Sequence, residues 1–172
     1  MAATTNWYEQ NGTATGSPAS GIESSIQSCD WKSVDDATTS RASAPVQAGA
    51  NSYEKYIYLK FTGSFNQISA VKFAHTSGTL GTGISLKNKI TSTYNTPSVS
   101  AMAGANDITT PTAIGSGASV LLGTSGPNDA NPSSAQTTAC YTQYIVTQAQ
   151  VASSASAGDS GSATLTIQYN EN

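Results

Sequence analysis

A histidine, an aspartate and a serine are the smallest set of side chains from which a hydrolytic site is built, and this chain carries them in that order at His75, Asp107 and Ser160. Ser160 lies in Gly158-Asp-Ser-Gly161, the type of tight turn that can present a nucleophile. In such a triad the imidazole takes the serine proton while a buried carboxylate orients the ring. The pattern breaks where the chemistry is most demanding. Ser162 stands where a further glycine is needed, which also spoils a G-x-S-x-G elbow. The His75 neighbours, Phe-Ala-His-Thr, add nothing to it, and 172 residues are short for a double barrel. Residues 158–161 read more simply as a polar turn between the last two strands.

Other chemistries are thinner still. One histidine and two cysteines that lie 111 positions apart, Cys29 and Cys140, cannot supply a zinc set. Asp35-Asp36 and Asn128-Asp129 offer oxygen ligands for calcium without EF-hand spacing, and solvated turn carboxylates explain them as well. Gly115-x-Gly117-x-x-Val120 lacks the last glycine of a dinucleotide fingerprint and any βαβ surroundings. Glu9, Glu23 and Glu54 are the only glutamates before Glu171, so no paired acid and base can be argued. The residues imply no catalytic group, no metal site and no cofactor. Cys29 and Cys140 are either two buried thiols or a bridge whose long loop would contribute about 4–5 kcal/mol.

Aromatic residues are the remaining candidates. Trp7, Trp31 and the tyrosines at 56, 58, 141 and 144 have the chemistry to stack on sugar rings, but Trp31 and the tyrosines fit equally well as core and cross-strand partners. Trp7 and Tyr8 differ, because they stand in an otherwise polar stretch rich in Gly, Ser, Thr and Ala. An aromatic pair on such an arm suits an interface anchor on a neighbouring subunit.

The elements that must position these residues are strands. The stretch 53–61, Tyr-Glu-Lys-Tyr-Ile-Tyr-Leu-Lys-Phe, alternates Tyr53, Ile57, Leu59 and Phe61, with Lys55 as the exception, against Glu54, Tyr56, Tyr58 and Lys60. Gly63 and Asn66 break the pattern, and 67–75 resumes it, which predicts a central antiparallel hairpin. Further strands are expected over 28–34, 84–90, 140–151 and 163–169, the last with Ala163, Leu165, Ile167 and Tyr169 facing in. Pro97 and Pro111 limit 91–117 to edge or short pieces. Gly126-Pro-Asn-Asp129 and Asn131-Pro132 mark turns. Short strands between Gly, Pro and Asn turns, with no long helix, predict an all-β fold: a single antiparallel β-sandwich over 22–172, jelly-roll-like or else immunoglobulin-like in order, preceded by an extended N-terminal arm over 1–21.

Composition sets the outer limits. Charged residues are 10%, hydrophobic residues 37%, and the net charge is −3 with eight tyrosines, so hydroxyls and amides keep the surface soluble. Disorder pairs low hydrophobicity with high net charge, which is not the case here. Seven basic residues cannot track a phosphate backbone, which argues against nucleic acid. No apolar run has transmembrane length. The first residues form no secretory signal, so an extracellular-looking composition is consistent with release by lysis inside a particle.

Six segments together resemble virion structural proteins of tailed bacteriophages: Asn51-Ser-Tyr-Glu-Lys-Tyr56, Phe61-Thr-Gly-Ser-Phe-Asn66, Ile68-Ser-Ala-Val-Lys-Phe73, Thr93-Tyr-Asn-Thr-Pro97, Tyr141-Thr-Gln-Tyr-Ile-Val146 and Ile167-Gln-Tyr-Asn-Glu171. They run in that family's order across about two thirds of the chain. Tyr56 replaces an expected tryptophan, Asn170 an expected aspartate, and the first fifty residues match poorly. The resemblance implies a non-enzymatic, particle-associated β-sandwich. A capsid decoration (cement) protein that bridges major-capsid subunits as a homo-oligomer, with a trimer favoured, suits its size and low charge. A neck, tail or fibre module is the alternative within that class, and a carbohydrate-binding module for host glycans is the alternative outside it.

Overall fold

The segment richest in β-formers, Lys55–Gly63, becomes a largely buried central strand. In the computed structural model, which describes residues 2–14, 22–156, 158 and 161–172, both of its faces and both of its edges are covered. The described residues form twelve strands and one 3-10 turn. These strands are β1 (Ala3–Asn11), β2 (Ile22–Ser25), β3 (Lys55–Gly63), β4 (Ile68–Ser77), β5 (Ile84–Thr91), β6 (Asn106–Asp107), β7 (Ala118–Ser119), β8 (Leu122–Gly123), β9 (Ala135–Gln136), β10 (Cys140–Thr142), β11 (Tyr144–Val151) and β12 (Thr164–Glu171). The larger sheet runs β2-β1-β3-β11-β5-β6, with β10 joining β3 to β8; the smaller runs β12-β4-β7, with β9 also on β4. All pairings are antiparallel. The all-β antiparallel sandwich expected from the sequence is therefore the fold. The pairing goes no further toward a jelly roll.

Between the sheets, Ile57, Leu59 and Phe61 of β3 meet Ile68, Val71 and Phe73 of β4, with Val120, Leu122, Cys140 and Ile145 completing the core. Leu165, Ile167 and Tyr169 of β12 pack on this core, as the sequence pattern predicts. The outer face of the large sheet is also buried. Tyr56, Tyr58, Tyr144 and Val146 pack there with Tyr94 and Met102, under the chain over 94–105. Gln148 pins that cover: its Oε1 accepts from Met102 N–H at 3.0 Å, and its Nε2 donates to the carbonyls of Ser52 and Ser100 at 3.1 and 2.8 Å.

Three expectations are corrected. First, β3 and β4 are not a hairpin but an arch between sheets. β1 pairs one edge of β3, and β10 and β11 pair the other, so β3 has no free edge for β4. Gly63, at φ 90°, lets the chain leave the sheet there. Second, residues 3–11 are not an arm. They form β1, which is paired with β2 on one side and along eight positions with β3 on the other; residues 15–21 lie outside the described residues. Third, no strand forms over 28–34. That segment belongs to a cover over the inner face of the large sheet, held by Ser33 N–H on Ala44 O at 3.0 Å and by the Trp31 indole N–H on Thr147 Oγ1 at 3.0 Å.

Candidate functional site

Because the small sheet ends at β12 while the large sheet continues past it, part of the large sheet's inner face is roofed only by irregular chain. The crevice between that roof and β12 is a groove of about 1030 Å³, the size range of a ligand site. Four strands supply its floor: Trp7 of β1, Ile57 of β3, Ile84 of β5, and Ala149 and Val151 of β11. These positions share a face because side chains alternate along a strand, and the cross-strand partners Trp7–Leu59, Ala149–Leu86 and Val151–Ile84 fix the register. Residues 26–31 and 41–48 form one wall, and residues 161–165 with Leu80 form the other. Among the described residues that line it, only Arg41 and Asp30 are charged. Its chemistry is an apolar floor that carries Trp7, with Trp31 in one wall, under a rim of amides and hydroxyls.

A buried ionic network anchors the roof. Lys55 Nζ donates to Glu9 Oε1 at 2.7 Å and to Asp36 O at 3.0 Å, with Lys55 and Glu9 both buried. Asn11 Nδ2 bridges Glu9 Oε1 and Asp35 Oδ1 at 2.6 and 2.9 Å. Lys32, also buried, donates to Asp36 Oδ1 at 2.9 Å and to Thr39 O. The Asp36 carboxylate accepts from the Thr39 hydroxyl, Lys32 and the Thr39 N–H, which hold its pKa well below the usual carboxylate range. Two of the seven basic residues thus serve to fix residues 32–39 against β1 and β3. Cys29 faces the groove with its thiol beside Thr147 Oγ1 at 3.8 Å, and burial pushes its pKa up to about 12, which favours the protonated thiol over the thiolate.

Trp7 and Tyr8 do not act as a pair. Strand alternation sends Trp7 to the groove and the inner core, whereas Tyr8 lies on the outer face, stacked on Tyr58 at 5.5 Å and 17°. The sugar-platform tyrosines at 56, 58 and 144 are buried against one another, with Tyr58 and Tyr144 edge to face at 5.8 Å. Only Trp7 and Trp31 of that set reach the groove. Sequence reading missed the groove itself. Ile57 on its floor is legible as inward-facing, whereas Trp7 reads as part of an arm, and no local signal shows which part of an inward face the second sheet leaves uncovered.

The residues first considered for chemistry are occupied elsewhere. Each ring nitrogen of buried His75 lies 2.8 Å from a backbone carbonyl oxygen, that of Ile108 or of Ser77. Asp107 accepts from Lys87 Nζ at 2.6 Å and Thr109 N–H at 2.8 Å. Asp159 and Ser160 lie outside the described residues. Asp129 accepts from the N–H groups of Thr124, Ser125 and Asn131, which turns its lone pairs into the loop and holds its pKa at about 2. Asp35 is likewise taken by Asn11 and Gly12. Among the described residues no three His, Cys, Asp or Glu side chains cluster as a metal site would require. Both cysteines are free thiols. No protein-family model, no curated protein and no solved structure matches this chain.

Proposed function

We propose that this chain is a non-enzymatic structural protein of a tailed-bacteriophage particle, a capsid decoration protein that bridges major-capsid subunits and docks through the inter-sheet groove. The observation that carries the reading is the groove: an open, apolar slot built on four strands of a rigid sheet, with a nearly neutral rim. Such a site suits recognition by burial and shape. The ordered resemblance over 51–171 to virion proteins supplies the setting, and a homo-oligomer, with a trimer favoured, fits decoration around a local symmetry axis. Trp7 acts here as a groove anchor, and Tyr8 serves the outer-face packing.

Immunogold electron microscopy of particles from the source, with antibody to this chain, tests the reading. Label over the heads supports it. Label at neck or tail moves the function to connection or attachment, and unlabelled particles overturn it. Attachment to heads should also weaken only mildly up to roughly 0.5 M salt, where exposed charges are strongly screened.

A second reading has its own observation. Trp7 and Trp31 line the groove together with Gln27, Asp30 and Arg41, an aromatic and polar mixture that suits a glycan. Glycan-array binding without attachment to heads favours that reading.

A further inference from the structure

We infer that the groove is the seat of an absent strand: it takes an extended, uncharged segment of another protein chain, which adds to the free edge of β12 and drops alternate apolar side chains onto the groove floor. This rests on the groove being the docking site, and it names the chemistry of what docks.

Two independent observations converge. The first is the edge. Among the described residues β12 pairs with β4 alone, which leaves one edge of an eight-residue strand open; the other terminal strands, β2, β6, β7, β8 and β9, have four, two, two, two and two residues. Proteins blunt such edges with proline, lysine or bulges. β12, Thr-Leu-Thr-Ile-Gln-Tyr-Asn-Glu, has no proline and no basic residue. The register shifts of this ladder put the extra residues in β4, where Ala70 sits at φ 52°, so β12 itself stays regular. Its inward residues Leu165, Ile167 and Tyr169 are only half-buried, unlike their counterparts on β3.

The second observation is the groove. Its wall includes the start of β12 and its floor is the apolar inner face of the large sheet, so backbone hydrogen-bonding groups and apolar surface border the same space. A glycan or lipid offers no N–H and C=O ladder at strand spacing, whereas a peptide strand does. Residues 26–31 and 41–48 form the opposite wall, so the space beside the start of β12 is bounded on both sides. Among the described lining residues one Arg and one Asp balance, which favours an uncharged segment.

The chain's own sequence supplies a probe. A capped peptide of residues 163–170, set antiparallel on β12 about Ile167, places Leu opposite Tyr169, Ile opposite Ile167 and Tyr opposite Leu165, and no charges oppose each other. Titration of this peptide into the full chain, read by tryptophan fluorescence and amide hydrogen exchange, should show saturable binding with new protection in β12. Two further peptides, N-methylated at alternate residues in the even or the odd series, separate ladder from slot. One series should lose binding and the other keep it, because only alternate N–H groups face a neighbouring strand. V151K, a charge on the floor, should weaken binding at least ~tenfold in a chain that still unfolds cooperatively.

No saturable binding of the peptide overturns the inference. So does equal binding of both methylated series, or a glycan that shifts the fluorescence without protecting β12. Particle labelling is scored separately: labelled heads with no peptide binding would sink this inference and leave the decoration reading standing.

Discussion

At the scale of single residues, two charges decide how firmly the groove's roof is held. Lys55 and Glu9 are 0% and 2% exposed, and neither can reach water as a substitute partner. Removing one side of a buried pair leaves the other charged and alone, at a cost of about 3–5 kcal/mol. K55M and E9L should each lower the urea midpoint by about that much in free energy. The double variant should lose clearly less than the sum, because neither charge then remains. A double-mutant cycle by urea unfolding measures this, and additive losses would mean that the pair is not coupled. Ala70 gives a test of opposite sign. It holds a left-handed φ of 52° in the β4 bulge, a conformation that costs an L-residue roughly 1–2 kcal/mol and glycine almost nothing. A70G should therefore raise stability by a few tenths to about 1 kcal/mol once the extra freedom of the unfolded glycine is subtracted. A drop in melting temperature would show that the alanine methyl has a packing role that outweighs the strain.

Among elements, the arch from β3 to β4 separates what a local pattern can reveal from what it cannot. Alternation over 53–61 and 67–75 correctly identifies two strands and their inward rows, because period-2 burial is a property of each strand alone. Their partners are not written locally. β3 gave its edges to β1, β10 and β11, the last two of which come from more than seventy-five residues downstream. β1 escaped the sequence reading for a related reason. Its Thr, Asn, Gln and Glu residues look like solvent-facing chain, and Glu9 and Asn11 are buried only because Lys55 and Asp35 satisfy them. Conversely, most of β12 is legible, because its alternation is the plain in-and-out kind; the pattern stops at Tyr169, two residues short of the strand's end at Glu171. A consequence follows for the arch: a synthetic peptide of residues 53–75 should show no cross-strand contacts between its halves by NMR, since the loop joins sheets rather than neighbours. Stable hairpin pairing in that peptide would mean the arch forms against a local preference.

For the whole molecule, scarcity of charge makes the few ionisable groups with displaced pKa values govern the pH response. Asp107 and Asp129 titrate at about 2 in the folded chain against an ordinary 3.8, and Asp36 is held lower still, each by hydrogen bonds from neighbouring N–H, hydroxyl or lysine groups. Between those values the unfolded chain binds more protons than the folded one, so stability falls as pH drops from about 4 toward 2. The thiols act at the other end. Burial raises Cys29 to about 12 and Cys140 to about 11 from 9.0, so above pH 9 the unfolded chain ionises first and stability falls as pH rises through the folded values. Melting temperature against pH should thus form a plateau with an acid limb and an alkaline limb. D129N should make the acid limb shallower, and C140A should soften the alkaline limb while lowering the plateau through the lost packing. Asp129 and Cys140 sit on opposite sides of the charge argument, one half-buried in a loop and held by donors, the other enclosed in the core. If both variants kept the wild-type shape of the profile, the pH response would belong to groups other than these, and the account of how so weakly charged a sandwich holds its loops would have to change.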